Sequence, residues 1–389
     1  MIDLNDYFSP VSIEKPDFEY ISGASSFSHN TTIHTENNPI KDIDKYRVAI
    51  IGVPDGRNSP NAGSAKGPEK IRESLYQLAR IPGKTRIIDL GNLRNGVTFR
   101  DTLAGLTDVL TYLVQENVLP LIIGGSSSLV VAIDNAFTNL DIPYTLSSLD
   151  SRIDFQPEKR DPDSSNYLGH IIYNQKSKLE QFNSIGYQTY LNDPQTINHL
   201  NKRNYELVRI GDVRHSLHLT EPLLRDSEVT VVDISAVRQS DAPGTIMPVP
   251  NGFYGEEICL ISRYAGISDR LKVFGLFEVN PDFDIRVQTS TLAAQIIWFF
   301  LEGFAQKQYE EPVSDDIDTG RFIRYHVKVT DLTDDLVFIK STFTERWWLE
   351  LSSGNDAKHC FACSYEDYLQ ANRNEVPDRW VKATARLKS

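Results

Sequence analysis

Short apolar runs recur along the chain from residue 46 to about residue 280. Each run has the length of a buried strand. Between many of them, apolar side chains recur every three or four residues, as at Ile71, Leu75 and Leu78, which is typical of amphipathic helices. The runs predicted as strands are Val48–Val53, Arg86–Leu90, Leu119–Ile123, Tyr144–Leu149, Ser184–Tyr187, Leu207–Ile210, Val229–Asp233 and Val273–Glu278. Strands that alternate with helices predict a three-layer α/β fold, with an eight-stranded, mainly parallel sheet between helices.

Two regions flank this main domain, residues 46–309, and follow other patterns. Residues 1–45 are polar and rich in turn residues, so we expect them to wrap the surface or to stay partly mobile. Residues 310–389 contain strand-like segments rich in aromatic residues and one short helical segment. This α+β extension is short for an independent domain, so we expect it to pack on the main domain or to form a surface for a protein partner.

Charge and composition exclude several classes of function. The chain has 389 residues and a formal net charge of −13, which argues against nucleic-acid binding. No apolar run reaches the roughly 18 residues that cross a bilayer, and the first residues lack the pattern of a secretory signal. Three cysteines fit a reducing compartment, so we expect a cytoplasmic protein. Cys360 and Cys363, beside His359, leave zinc and redox roles open, although a strand–turn without either role is the preferred interpretation.

Acidic side chains stand at the ends of several predicted strands. They are Asp150, Asp154, Asp233 and Glu278. Carboxylates at the carboxyl ends of parallel strands converge on one crevice, where a divalent metal, an arginine or bound protons must offset their repulsion. Acids at strand ends also cap helices, so a structural role remains open for each one. The turn Gly124-Gly125 ends another strand, and only hydroxyl groups follow it, at 126–128.

Five segments, in order, resemble the ureohydrolases, the family of arginase, agmatinase and formimidoylglutamase. They are GVPDGRNSPNAGSAKGPEKIRESL (52–75), IIGGSSS (122–128), SLDSRID (148–154), VVDISAVRQSDAPGTIMPVPNGFYGEE (231–257) and FGLFEVNPDFD (274–284). The resemblance covers roughly residues 46–304, and it implies an arginase-like fold. Length and acidic character lean toward formimidoylglutamase within the family.

The resemblance also implies a site for two manganese ions, held by two histidines and four aspartates. Asp150, Asp154 and Asp233 match three of these ligand positions. The other three positions carry Ser127, Arg152 and Ser235. Serine is a poor ligand and arginine binds no metal, so the bridge between two metals is not expected to form. Instead, we expect the guanidinium of Arg152 to fork onto Asp150 and Asp233, and no cofactor to bind.

Two functions follow as expectations. In the first, the chain has lost dimanganese hydrolysis and binds a ligand or partner as a pseudoenzyme. In the alternative, it hydrolyses a formimidoyl or guanidino compound with one weakly held manganese ion or none. The same resemblance gives Glu278 as the contact for a small cationic or nitrogen-rich ligand, with Ser165 and Asn166 as further contacts. It also implies a homo-oligomer. His170 is offset from the position of the family's proton-relay histidine, so we interpret it as a surface residue.

Overall fold

The structure is a computed structural model that describes residues 2–12, 21–156, 161–312, 320–352 and 357–388. Its main sheet has ten strands: β1 (Phe8–Ser9), β2 (Thr31–Ile33), β3 (Val48–Val53), β4 (Ile87–Leu93), β5 (Leu119–Gly124), β6 (Tyr144–Leu149), β7 (Leu179–Tyr187), β8 (Glu206–Arg209), β9 (Val229–Asp233) and β10 (Val273–Phe277). The order is β1-β4-β3-β5-β10-β9-β6-β7-β8, with β2 also paired to β4. All eight predicted strands are present and parallel, which confirms the predicted fold class.

Helices cover both faces of this sheet. In the main domain and the segment before it they are α1 (Leu4–Tyr7), α2 (Gly67–Leu75), α3 (Phe99–Gln115), α4 (Val130–Leu140), α5 (Tyr167–Tyr173), α6 (Pro194–Asn201), α7 (Ile210–His215), α8 (Thr220–Arg225), α9 (Gly255–Gly266) and α10 (Gln288–Ala305). Successive strand residues point to opposite faces, so Ile51 joins the core under α3 and α4 while Ile50 joins the core under α2, α9 and α10. No described helix is long and apolar enough to cross a bilayer.

The segment before residue 46 does more than wrap the surface. Phe8 in β1 pairs antiparallel with Leu93, and Thr31 in β2 pairs parallel with Ile87, so both short strands extend the main sheet at β4. Phe8 and Phe27 are fully buried. Two isolated aromatic residues thus anchor a segment whose overall composition is polar.

The C-terminal extension forms a second sheet with its own small core. Its strands are β11 (Phe322–Val327), β12 (Leu336–Ser341), β13 (Trp347–Ser352) and β14 (Lys358–Cys363), all antiparallel, and its helices are α11 (Tyr365–Asn372) and α12 (Asp378–Lys388). Trp347 stacks on Tyr368 in this core. The indole of Trp348 instead meets the guanidinium of Arg225 from the main domain, 4.4 Å from the ring centre.

Basic side chains of the C-terminal extension pair with acidic residues at the edge of the main sheet where β8 and β9 begin. Glu206, the first residue of β8, forms ion pairs with three side chains of α12: Arg379 at 3.4 Å, Lys382 at 2.5 Å and Arg386 at 3.5 Å. Arg379 also bonds Asp226 at 2.5 Å. These cations hold the pKa of Glu206 below its ordinary value although burial acts in the opposite direction. We call this contact the α12 seam.

Both cysteines of the Cys-x-x-Cys segment lie in β14. Positions three apart on a strand face opposite sides. Cys363 accordingly packs in the small core that contains Trp347. Cys360 packs on the opposite face of the sheet, against a second apolar cluster that contains Trp348. Burial raises the pKa of Cys360 to about 12. The geometry favours the strand interpretation over a redox pair or a zinc site.

Candidate functional site

A cavity of about 1470 Å³ opens at the carboxyl ends of the central strands. The turn after β5 brings Ser127 to its wall, the turn after β6 brings Asp150, β9 ends there at Asp233, and Glu278 follows β10. These strands are neighbours in the sheet. The fold therefore brings together the side chains that the sequence predicted to converge.

Asp150, Asp154 and Asp233, here called the acid trio, offer carboxylate oxygens within 4.8 Å of one another. Burial raises the pKa of each, and neighbouring carboxylates raise it further for Asp150 and Asp154. Oxygen donors of this kind suit Mn²⁺, Mg²⁺ or Ca²⁺. The geometry of the trio could accommodate one cation, and protons could equally offset the repulsion among its carboxylates.

Arg152 does not take the position that the sequence predicted. Its backbone N–H donates to Asp150 Oδ1 at 2.9 Å, while Nη1 donates to Ser151 Oγ at 3.4 Å. Within the described part of the chain, its guanidinium forms no ion pair with a carboxylate, so the expected fork onto Asp150 and Asp233 is wrong. The tight turn after β6 brings the main chain of Arg152, not its side-chain tip, to Asp150. Its charge still acts to lower the pKa of all three trio members.

The two serines at positions where the family resemblance implies metal ligands bond to carboxylates. Ser127 donates its backbone N–H to Glu278 Oε1 at 2.8 Å, and its Oγ lies 3.3 Å from the same oxygen. Ser235 donates its backbone N–H to Asp233 Oδ1 at 2.7 Å, and its Oγ lies 3.5 Å from Asp150 Oδ1. Both residues therefore serve as hydrogen-bond donors that hold the acids of the site.

Glu278 is held in a strained conformation by neighbours that sequence reasoning missed. Its φ of 66° lies in the left-handed region, which costs a side-chain-bearing residue roughly 1–3 kcal/mol. Asn61 Nδ2 donates to its backbone oxygen at 2.8 Å and to Oε2 at 2.9 Å, and Ser59 Oγ donates at 3.3 Å. Burial, with the charge of Asp233, raises the pKa of Glu278 to about 7. Asn61 and Ser59 belong to the first family-like segment, but nothing in that segment indicates this pairing.

The loop at 161–170 contributes one predicted residue to the wall. Ser165 lines the cavity and its Oγ donates to Asp163 Oδ1 at 2.7 Å. Asn166 is fully buried behind the wall, where its side chain accepts from the Asp163 N–H at 2.8 Å and donates to the Asp161 carbonyl at 3.1 Å. Asn166 therefore shapes the loop.

The rim carries an aromatic cluster that the sequence did not predict, because its members come from three separate segments. Phe155 stacks on His199 with ring centres 5.3 Å apart and lies 5.8 Å from the ring of Tyr173. The Tyr173 hydroxyl is 3.4 Å from His199 Nε2. We call these three residues the rim cluster. Asp193 lines the cavity as well.

Comparisons with known proteins agree with this geometry. The model of the arginase family matches residues 46–302. The formimidoylglutamase of Staphylococcus haemolyticus is 24% identical over 291 residues, which cover 71% of this chain and 93% of that enzyme. Proclavaminate amidinohydrolase of Streptomyces clavuligerus is 28% identical and is covered over 86% of its length, with 64% of this chain.

Solved structures share the fold. The formimidoylglutamase of Bacillus subtilis superposes with a TM-score of 0.65 at 18% identity, over 76% of this chain and 97% of that one. The Trypanosoma cruzi formiminoglutamase, solved with Mn²⁺, gives a TM-score of 0.64 at 17% identity, over 69% of this chain and 96% of that one. With two thirds of its length matched by one family model and the acids of the site converging on one cavity, this chain belongs to the arginase family.

Proposed function

We propose that the cavity binds a small ligand through an amidinium-like or ammonium cation, without the two-metal centre implied by the family resemblance. The observation that carries this proposal is the set of four carboxylates, the acid trio and Glu278, beside Arg152 and Ser235 at two former ligand positions. In a buried cluster, each ionised carboxylate raises the free-energy cost of ionising its neighbours. A bound cation offsets this repulsion, and the cluster therefore attracts one.

The residues fit one metal ion better than two. Asp150, Asp154 and Asp233 would hold a single divalent cation, which would supply Lewis-acid polarisation and would offset the trio's charge. The positions for a second ion fit poorly, because Arg152 brings a fixed positive charge and Ser235 a weak ligand. The expectation that no metal binds at all is therefore replaced by the proposal of at most one.

Hydrolysis of a formimidoyl or guanidino compound is the second candidate function. Two formimidoylglutamases are matched over 93% and 97% of their length, and this favours retained hydrolysis. The acid trio could support it with a single metal ion. Loss of hydrolysis is favoured by the side chains at three positions where the family resemblance implies metal ligands, namely Ser127, Arg152 and Ser235.

Metal analysis combined with hydrolase assays separates the two candidates. The wild-type protein is incubated with Mn²⁺, desalted, analysed for metal and assayed on formimidoyl and guanidino compounds. We expect at most one ion per chain, lost in Asp154→Asn, and no hydrolysis. Restoration of all three ligand positions with Ser127→His, Arg152→His and Ser235→Asp should raise the content toward two ions. Hydrolysis by the wild-type protein with one ion would establish the second candidate, and two ions in the wild type would overturn the argument from the ligands.

A further inference from the structure

We propose that the ligand is a linear diamine or a longer polyamine, with one cation at the acid trio and Glu278 and a second cation at the rim, beside Asp193 and the rim cluster. This inference rests on the proposed cation site and adds the second charge of its ligand. The charge of the wall, the pairing of the rim aspartates and the exposure of Tyr173 in the rim cluster support it in turn.

Acidic side chains line the cavity from its floor to its rim. Among the described lining residues, seven carboxylates face two arginines, which gives a formal balance of 5 negative charges. Four of the carboxylates form the inner group, and the rim adds Asp161, Asp163 and Asp193. Because acidic groups lie at both depths, a ligand with a cation at each end would meet opposite charge along its whole length.

The three rim aspartates differ in what already neutralises them. Asp161 pairs with Arg100 at 2.8 Å, both largely exposed. Asp163 accepts the N–H and hydroxyl of Ser165. Asp193 accepts the N–H of Gln195 at 3.0 Å as the N-cap of α6 and, within the described ranges, forms no ion pair. Asp193 is therefore the rim carboxylate with most capacity left for a cation.

The rim cluster offers a second kind of cation contact. Tyr173 is 51% exposed, and the guanidinium carbon of Arg203 already lies 5.9 Å from its ring centre. Aromatic faces attract ammonium and guanidinium groups electrostatically. Ile246 and Met247 also line the cavity and are exposed, so the methylene chain of a diamine would find apolar contact there.

The same wall disfavours the ligand that the names of the relatives suggest. Formimidoylglutamate carries two carboxylates and one amidinium-like cation, whereas among the described lining residues Arg152 alone offers a fixed positive charge beside the inner carboxylates. A net anionic ligand would approach a net anionic cavity. Since interactions between charges add over the wall, a dication gains where an anion loses.

Calorimetric titration of the chelator-treated full chain tests this inference. The probes are cadaverine, its monoamine analogue pentylamine, spermidine and N-formimidoyl-L-glutamate, each at low and at physiological salt. We expect cadaverine to bind about 10-fold more tightly than pentylamine, because its second ammonium group adds an exposed charge pair and a cation–aromatic contact. The advantage should shrink with added salt.

Asp193→Asn isolates the outer contact, because asparagine preserves the helix cap. It should weaken cadaverine about 3-fold and leave pentylamine unchanged. The matched control is Asp212→Asn, which removes an exposed, paired carboxylate elsewhere and should change neither affinity. Equal affinities of wild-type protein for cadaverine and pentylamine would overturn the diamine inference and leave the cation site standing. Tighter binding of formimidoylglutamate than of any amine would overturn both.

Discussion

Substitution of Glu278 by glutamine should make the stability of the ligand-free protein less sensitive to a rise in pH. Burial and the charge of Asp233 raise the pKa of this carboxyl to about 7, whereas an unfolded chain would give it the ordinary value of 4.5. Between these two pH values the folded protein holds a proton that the unfolded chain releases. Stability therefore falls as pH rises through this window, and the loss is complete above pH 7.

The size of the effect follows from the two pKa values. The difference between 4.5 and about 7 corresponds to roughly 3 kcal/mol of unfolding free energy. The bond from Asn61 to Oε2 is disturbed in Glu278→Gln at every pH, so this cost cancels when two pH values are compared. The stability of the variant relative to wild type should thus improve by about 2–3 kcal/mol between about pH 4.5 and about pH 8.

Denaturant unfolding of both proteins at the two pH values measures this difference directly. Glu180→Gln serves as the control, because it makes the same substitution at an exposed position away from the cavity. A cation that binds the inner carboxylates should restore stability to the wild type above pH 7 and help the variant less. If wild type and Glu278→Gln lose stability in parallel from acid to alkaline pH, the assignment of a raised pKa to this residue is wrong.

Three other results are expected. Elemental analysis after incubation with Mn²⁺ and desalting should find less manganese in Asp154→Asn than in the wild type, because one of the three clustered carboxylates is lost. An unchanged manganese content would show that the ion binds at another site. Arg379→Met should lower the unfolding free energy by about 3 kcal/mol, because it strips a buried cation from two acids, whereas the exposed Arg373→Met should have little effect. Treatment with diamide should leave Cys360 and Cys363 unlinked to each other, with an unchanged intact mass under denaturing conditions; a loss of two hydrogens would contradict the placement of their side chains on opposite faces of β14.

The main sheet could be predicted from the sequence because its strands are buried on both faces. Such strands are continuous apolar runs, and Val48–Val53, Tyr144–Leu149 and Val229–Asp233 were predicted to the residue. The convergence of acids followed from strand direction alone. In contrast, β1 and β2 have two and three residues, too few for any periodicity to emerge from a polar segment.

Details of the site depend on side-chain directions that spacing does not determine. The sequence located Arg152 in the right turn, but whether the backbone or the guanidinium meets Asp150 depends on the local path of the chain. The contact between Asn61 and Glu278 spans 217 positions, and the rim cluster joins three segments. Long-range contacts of this kind leave no local pattern.

The α12 seam couples the stability of the extension to that of the main domain. Every ion-pair partner of Glu206 within the described chain comes from the last helix, so a protein shortened before residue 378 would leave the acid at the start of β8 without its three counter-charges. The extension and the arginase-like domain are therefore expected to be inherited together, because neither could be discarded in a single evolutionary step without damage to the other.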